Sequence, residues 1–113
     1  MHELGITRNI VAIACDCARG APIRRIQVEI GRLSAIESEA VRFCFDICAE
    51  ETLAERAELE IIETPGRGRC RACDRELEMD LPYGRCTCGS TQIEIIQGQE
   101  LTIKELETDA LCA

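Results

Sequence analysis

A chain of 113 residues, 46% of them hydrophobic, has room for one domain, or for a small core domain with a metal-held appendage. Its 21 acidic against 13 basic residues give a net charge of −8, which repels a nucleic-acid backbone on average, and no apolar run approaches the roughly 18 residues that a bilayer span needs. Nine cysteines are an odd number, which argues against a fully disulfide-paired framework. With no basic stretch leading into an apolar one, they point to a cytoplasmic protein with metal or thiol chemistry.

Phe43, Phe45 and Tyr83 are the only aromatics, so the core must be aliphatic. Over Leu4 to Arg19, Ile6, Ile10, Ile13 and Cys17 fall on one side, with Leu4, Val11, Ala14 and Ala18 beside them, which predicts a helix. Gly20 and Pro22 end it. The period then changes to two: Ile26, Val28 and Ile30 alternate with Gln27 and Glu29, giving a half-buried strand over Ile23 to Leu33. Ser34-Ala35-Ile36-Glu37 has the form of a capping box and introduces a second helix to about Glu51. On it Ala40, Cys44 and Ile47 repeat at helical spacing, with Val41, Phe45 and Cys48 alongside.

A second strand is expected at Glu58 to Thr64, where Leu59 and Ile61 alternate with acids, and Pro65-Gly66-Arg67-Gly68 closes it as a boundary. A third strand is expected from about Gln92 to Glu107, with a bulge or bend at Gly98. Helix, strand, helix, strand, insert, strand predicts an α+β fold, two helices packed on a three-stranded sheet, with a small zinc-binding domain inserted between strands 2 and 3. The expected domains are 1–65 with 92–113, and 66–91.

The insert is where chemistry concentrates. Cys70-Arg71-Ala72-Cys73 is followed after twelve residues by Cys86-Thr87-Cys88-Gly89, with Leu77, Met79, Leu81 and Tyr83 as the only sizeable apolar residues between. Four such side chains cannot offset an ordering cost of roughly 1–2 kcal/mol per residue. A structural Zn(II), worth on the order of 10–16 kcal/mol in small finger peptides, can. The first pair has the usual two-residue zinc knuckle, the second a knuckle of one residue. Alternatives at this level are a redox dithiol, a rubredoxin-like iron site, or three cysteines with Asp74 or Cys112 as the fourth ligand. Cys15, Cys17, Cys44 and Cys48 suit core packing as small hydrophobes.

His2 is the only histidine. With Met1 retained, the terminal amine, the His2 amide nitrogen and the imidazole can close successive chelate rings, a donor set that favours square-planar Ni(II) or Cu(II). Glu3 can add an amide nitrogen or orient the imidazole through its carboxylate. An ordinary surface histidine is the plainer alternative from the residues alone.

Met1-His2-Glu3-Leu4, Ile30-Gly31-Arg32-Leu33-Ser34, Ala57-Glu58-Leu59-Glu60-Ile61 and the cysteine pairs with Cys88-Gly89-Ser90 stand in an order that resembles the HypA/HybF family of hydrogenase nickel-incorporation proteins. The resemblance implies a non-enzymatic nickel metallochaperone binding Ni(II) through Met1, His2 and Glu3, and Zn(II) through Cys70, Cys73, Cys86 and Cys88. It also implies work with the nickel-binding GTPase HypB in loading the large subunit of [NiFe]-hydrogenase, without nucleic acid or membrane; a homodimer is compatible with it. The second knuckle departs from the family's usual Cys-Pro-x-Cys-Gly by one residue. The rival reading is a zinc-ribbon protein-interaction module that delivers no metal.

Overall fold

The computed structural model describes residues 3–109. In chain order these form α1 (Glu3–Ala18), β1 (Ile23–Gly31), α2 (Ser38–Ala49), β2 (Glu58–Thr64), β3 (Gly66–Cys70), β4 (Glu76–Met79), β5 (Ile93–Gln97) and β6 (Leu101–Thr108). The fold class is the expected α+β, with two three-stranded sheets ordered β2-β1-β6 and β4-β3-β5. Two compact units result. One holds the chain up to Val28, Glu37–Ile62 and the chain from Thr102 onward; the other holds Glu29–Ile36 and Glu63–Leu101.

In the first unit α1 and α2 pack on each other. The buried stripe of α1 is Thr7, Ile10, Val11, Ala14 and Ala18. Against expectation, Ile13 and Cys17 are exposed and Ile6 only half-buried. Thr7 takes an inward place because its hydroxyl donates to the Glu3 carbonyl at 2.6 Å, which satisfies it without water. On α2 the buried residues are Val41, Phe45 and Ala49, whereas Ile47 and Phe43 face outward, Phe43 with 77% of its surface exposed. The alternation on β1 is as expected, with Ile26, Val28 and Ile30 buried.

The expected capping box at Ser34 does not form. Helix α2 begins at Ser38 with Glu37 as N-cap and no side-chain cap. Ser34 Oγ instead donates to the Gly31 carbonyl at 2.7 Å and accepts from the Ile36 N–H at 3.3 Å, a local turn that competes with capping.

Arg25, on the middle strand of the first sheet, donates to Glu60 of β2 at 2.8 Å and to Glu105 and Glu107 of β6 at 2.9 and 3.1 Å. Hydrogen bonding to Glu105 and Glu107 and then Glu60 holds its pKa above the ordinary guanidinium value. One side chain thus links all three strands, and a shift of register on either side would part it from a carboxylate.

In the second unit β3 pairs antiparallel with β4 from Gly66↔Met79 to Arg69↔Glu76, and with β5, across a bulge at Arg67/Gly68. The segment expected to be one strand from Gln92 to Glu107 is two, β5 and β6, in different sheets. Gly98 separates them with φ of +111°, a conformation open mainly to glycine. A Cβ there would lie 2.7 Å from Gly66 Cα, and one on Gly66 would lie 2.6 Å from Leu33 Cγ. Leu33 therefore fills a slot that exists because both positions lack side chains; its N–H donates to the Gly98 carbonyl at 2.7 Å.

Candidate metal centre

The four sulfurs of Cys70, Cys73, Cys86 and Cys88 lie within 4.8 Å of one another, the only such cluster of potential ligands among the described residues. Cys70 closes β3, and the chain then turns: Asp74 N–H donates to the Cys70 carbonyl, and Cys70 N–H to the Arg75 carbonyl, both at 2.8 Å. Asp74 takes φ of +63° to make that turn. The second pair is set by a smaller one, with Gly89 N–H on the Cys86 carbonyl at 2.8 Å and Cys86 N–H on the Ser90 carbonyl at 2.9 Å. Gly89 has φ of +95°, so the residue after the cysteines supplies the reversal.

The close sulfur contacts run between the pairs, Cys70 to Cys88 at 3.6 Å and Cys73 to Cys86 at 3.5 Å. Sulfurs roughly 2.3 Å from one ion stand about 3.8 Å apart along the edges of a tetrahedron. The four fit a closed S₄ set, and the one-residue knuckle brings both its sulfurs into it. Asp74 is not in the cluster; its carboxylate is 90% exposed and faces Arg69 at 3.8 Å.

Thiol acidities within the cluster are uneven. Cys70 is lowered to about 6, first by the Cys73 N–H, then by the Ala72 N–H and the Cys88 and Cys73 side chains against the cost of burial. Cys86 is lowered chiefly by the Cys88 N–H. The Arg75 N–H favours the Cys73 thiolate, yet hydrogen bonding with Cys86, burial, Cys70 and Cys88 push Cys73 up to about 11. Thiolates this close cannot all carry charge unless a cation shares them, and a soft or borderline dication does so. A redox dithiol needs an accessible thiol of lowered pKa. Here the lowered Cys70 is buried, and its exposed neighbour Cys73 is raised.

The remaining candidates are elsewhere. Met1, His2 and Cys112 lie outside the described residues. Glu3 opens α1 and is buried, with 8% exposure. Its Oε2 accepts from the Glu37 N–H at 3.4 Å, at the positive end of α2. That tie joins the two helix starts, and nothing in local spacing announces it. Cys17 is exposed and Cys15, Cys44 and Cys48 are half-buried; none belongs to the sulfur cluster.

Comparison with known proteins shows the family. The profile of the family described as "Hydrogenase/urease nickel incorporation, metallochaperone, hypA" matches residues 1–108. A protein of Crocosphaera subtropica named hydrogenase maturation factor HypA is 58% identical over 113 residues, covering 99% of each chain. Its namesake from Nostoc punctiforme is 56% identical over 112 residues, with the same coverage. The solution structure of the Ni metallochaperone HypA from Helicobacter pylori is similar with a TM-score of 0.71 at 29% identity, over 98% of this chain and 100% of that one. With a match spanning nearly its whole length and four cysteines gathered for a metal, the chain belongs to the HypA family of nickel-incorporation metallochaperones.

Proposed function

We propose that this protein binds Ni(II) at its amino terminus and passes it on during maturation of [NiFe]-hydrogenase, while Zn(II) held by Cys70, Cys73, Cys86 and Cys88 orders the second unit. The observation that carries the reading is the sulfur cluster: among the described residues, four cysteines make a closed site suited to a resident ion. A cargo ion needs a separate donor set, and Met1, His2 and Glu3 are the residues proposed for it. Nickel is the substrate; the terminal amine, the His2 amide and the imidazole are the donors that favour it. Glu3, engaged at the start of α2, suits an orienting role better than direct ligation.

The zinc-holding domain proposed at 66–91 lies inside the second unit, which also takes in β5, and the nickel-binding domain proposed at 1–65 with 92–113 includes the whole of the first unit. Because nickel would be held mostly by local backbone nitrogens, it would leave by stepwise ligand exchange to a recipient. The recipients that fit are the GTPase HypB and the hydrogenase large subunit, in the cytoplasm; oligomeric state is a separate measurement, with a homodimer as the reading to test by light scattering.

The deciding experiment is a Ni(II) titration of zinc-loaded protein with a free amino terminus, repeated with the terminus extended by a tag and with His2→Ala. Loss of one nickel equivalent in both altered forms, with zinc retained, is the expected result. Unchanged nickel affinity in the extended form overturns the amine–amide–imidazole set, and absence of nickel binding in every form favours a zinc module without metal delivery.

A further inference from the structure

We infer that Arg75 is a positioning residue for the metal centre, clamping the one-residue Cys86-Thr87-Cys88 knuckle to the Cys70–Cys73 turn. The inference rests on the zinc reading above. Arg75 reaches both halves of the cluster. Its carbonyl accepts from the Cys70 N–H at 2.8 Å. Its guanidinium Nη1 donates to Thr87 Oγ1 at 2.6 Å, across the cluster from its own turn. Thr87 is the single residue between two ligand cysteines, so a bond to its side chain bears on both sulfurs at once.

The backbone of the knuckle is engaged on either side of Thr87, with the Cys88 N–H directed at the Cys86 sulfur. With one residue between Cys86 and Cys88, the turn is closed outside the pair, by Gly89 on Cys86 and by Cys86 on Ser90. The apex at Thr87 is left to its side chain. Three nearby arginines face carboxylates: Arg67 and Arg69 face Glu76, and Arg71 faces Glu94. Arg75 is directed at a neutral hydroxyl instead, which places a cation beside a centre whose four thiolates and one dication sum to a charge of −2. Metal sites depend on outer partners of this kind for ligand direction and for charge balance.

Further links between the halves exist, since Arg71 N–H donates to the Gln92 carbonyl at 2.9 Å and β3 pairs with β5. Loss of the clamp should therefore loosen the centre without dissolving it. The test is zinc transfer from the full-length, zinc-loaded protein to a chromophoric chelator. Arg75→Ala is expected to release zinc about threefold to tenfold faster, less than the roughly 10–100-fold typical of such partners because the bond is exposed. Thr87→Val, which keeps the shape and removes the hydroxyl, should match it, the double variant should be no faster than either, and Thr87→Ser should behave as wild type. In the Co(II)-substituted protein, both single variants should shift the visible d–d bands while keeping tetrahedral intensity. Release from Arg75→Ala and Thr87→Val at the wild-type rate, or effects of the two that simply multiply, overturns the clamp. A wild-type stoichiometry well below one zinc per chain overturns the zinc reading itself and is read separately from the variants.

Discussion

Cysteines at the centre are not equivalent in burial, but they are in count. Cys70 and Cys86 are buried, Cys73 and Cys88 exposed. Removing even an exposed member leaves three sulfurs and an open position that water must fill. Cys88→Ser is expected to weaken zinc binding by more than about 100-fold in a chelator competition, beyond what an outer partner costs. Cys17→Ser, exposed on α1, should leave zinc stoichiometry unchanged. Glu76 offers a prediction in pH. Hydrogen bonds from Arg67 and then Arg69 hold its carboxyl below the ordinary range. A depressed carboxyl contributes stability above its unfolded pKa and loses it as pH falls through the folded value. Glu76→Gln should thus be slightly less stable than wild type in denaturation curves of the zinc-loaded protein at neutral pH, well above the carboxyl's range.

At the scale of elements, the strands and helices depend on a few positions with little tolerance. Ile26 is fully buried in the middle of β1. Ile26→Ala is expected to cost about 2–5 kcal/mol in chemical denaturation, the usual range for truncating a core aliphatic residue. Gly98 is a different kind of constraint, set by backbone. Gly98→Ala combines a φ of +111° with a Cβ 2.7 Å from Gly66 Cα, so relief must come from main chain. A loss larger than the roughly 1 kcal/mol of an average substitution is expected, together with shifted amide resonances at Leu33 and Gly66. The elements also show where local sequence signals compete. Ser34 and Glu37 satisfy the pattern of a capping box, but the serine hydroxyl finds the Gly31 carbonyl first. Apolar positions on α1 include two overlapping stripes, and Thr7 with Ala14 wins the inward place over Ile13.

For the whole molecule, the division into two units confines the proposed zinc site to one of them. Each unit has its own three-stranded sheet or part of one, and the second has few large buried side chains besides Ile30, Leu33, Met79 and the cysteines. Stripping zinc with a strong chelator should raise amide exchange across β3, β4 and the 70–90 turns, leaving Ile26 and Val28 protected. Loss of protection throughout both units would show instead that they fold as one. The charge of −8 bears on partners at this scale: it disfavours polyanions, and it is compatible with proteins that present basic surfaces.

Composition and spacing by themselves determined a good part of this protein. The period-two run around Ile26, the existence of the two helices, the breaks at Gly20 and Pro65, and the cysteine spacing follow from neighbours within a few residues, where physical preference is local; which helix faces are buried does not. The nickel donors proposed at Met1-His2-Glu3 rest on covalent sequence alone, since an amine, an amide and an imidazole in succession need no tertiary contact. What only the tertiary structure decided involves partners far apart in the chain. The run from Gln92 to Glu107 is uniformly strand-like, and its division at Gly98 is imposed by the approach of Gly66 and Leu33, more than thirty residues away. Arg25 reads as a polar strand residue until three carboxylates from two other strands surround it. Whether so short a second knuckle completes the sulfur set was likewise undecidable from spacing. Its answer lies in how β3 and the 86–90 turn bring Cys70 to Cys88 and Cys73 to Cys86, because four ligands on two turns converge only when the sheet between them sets the distance.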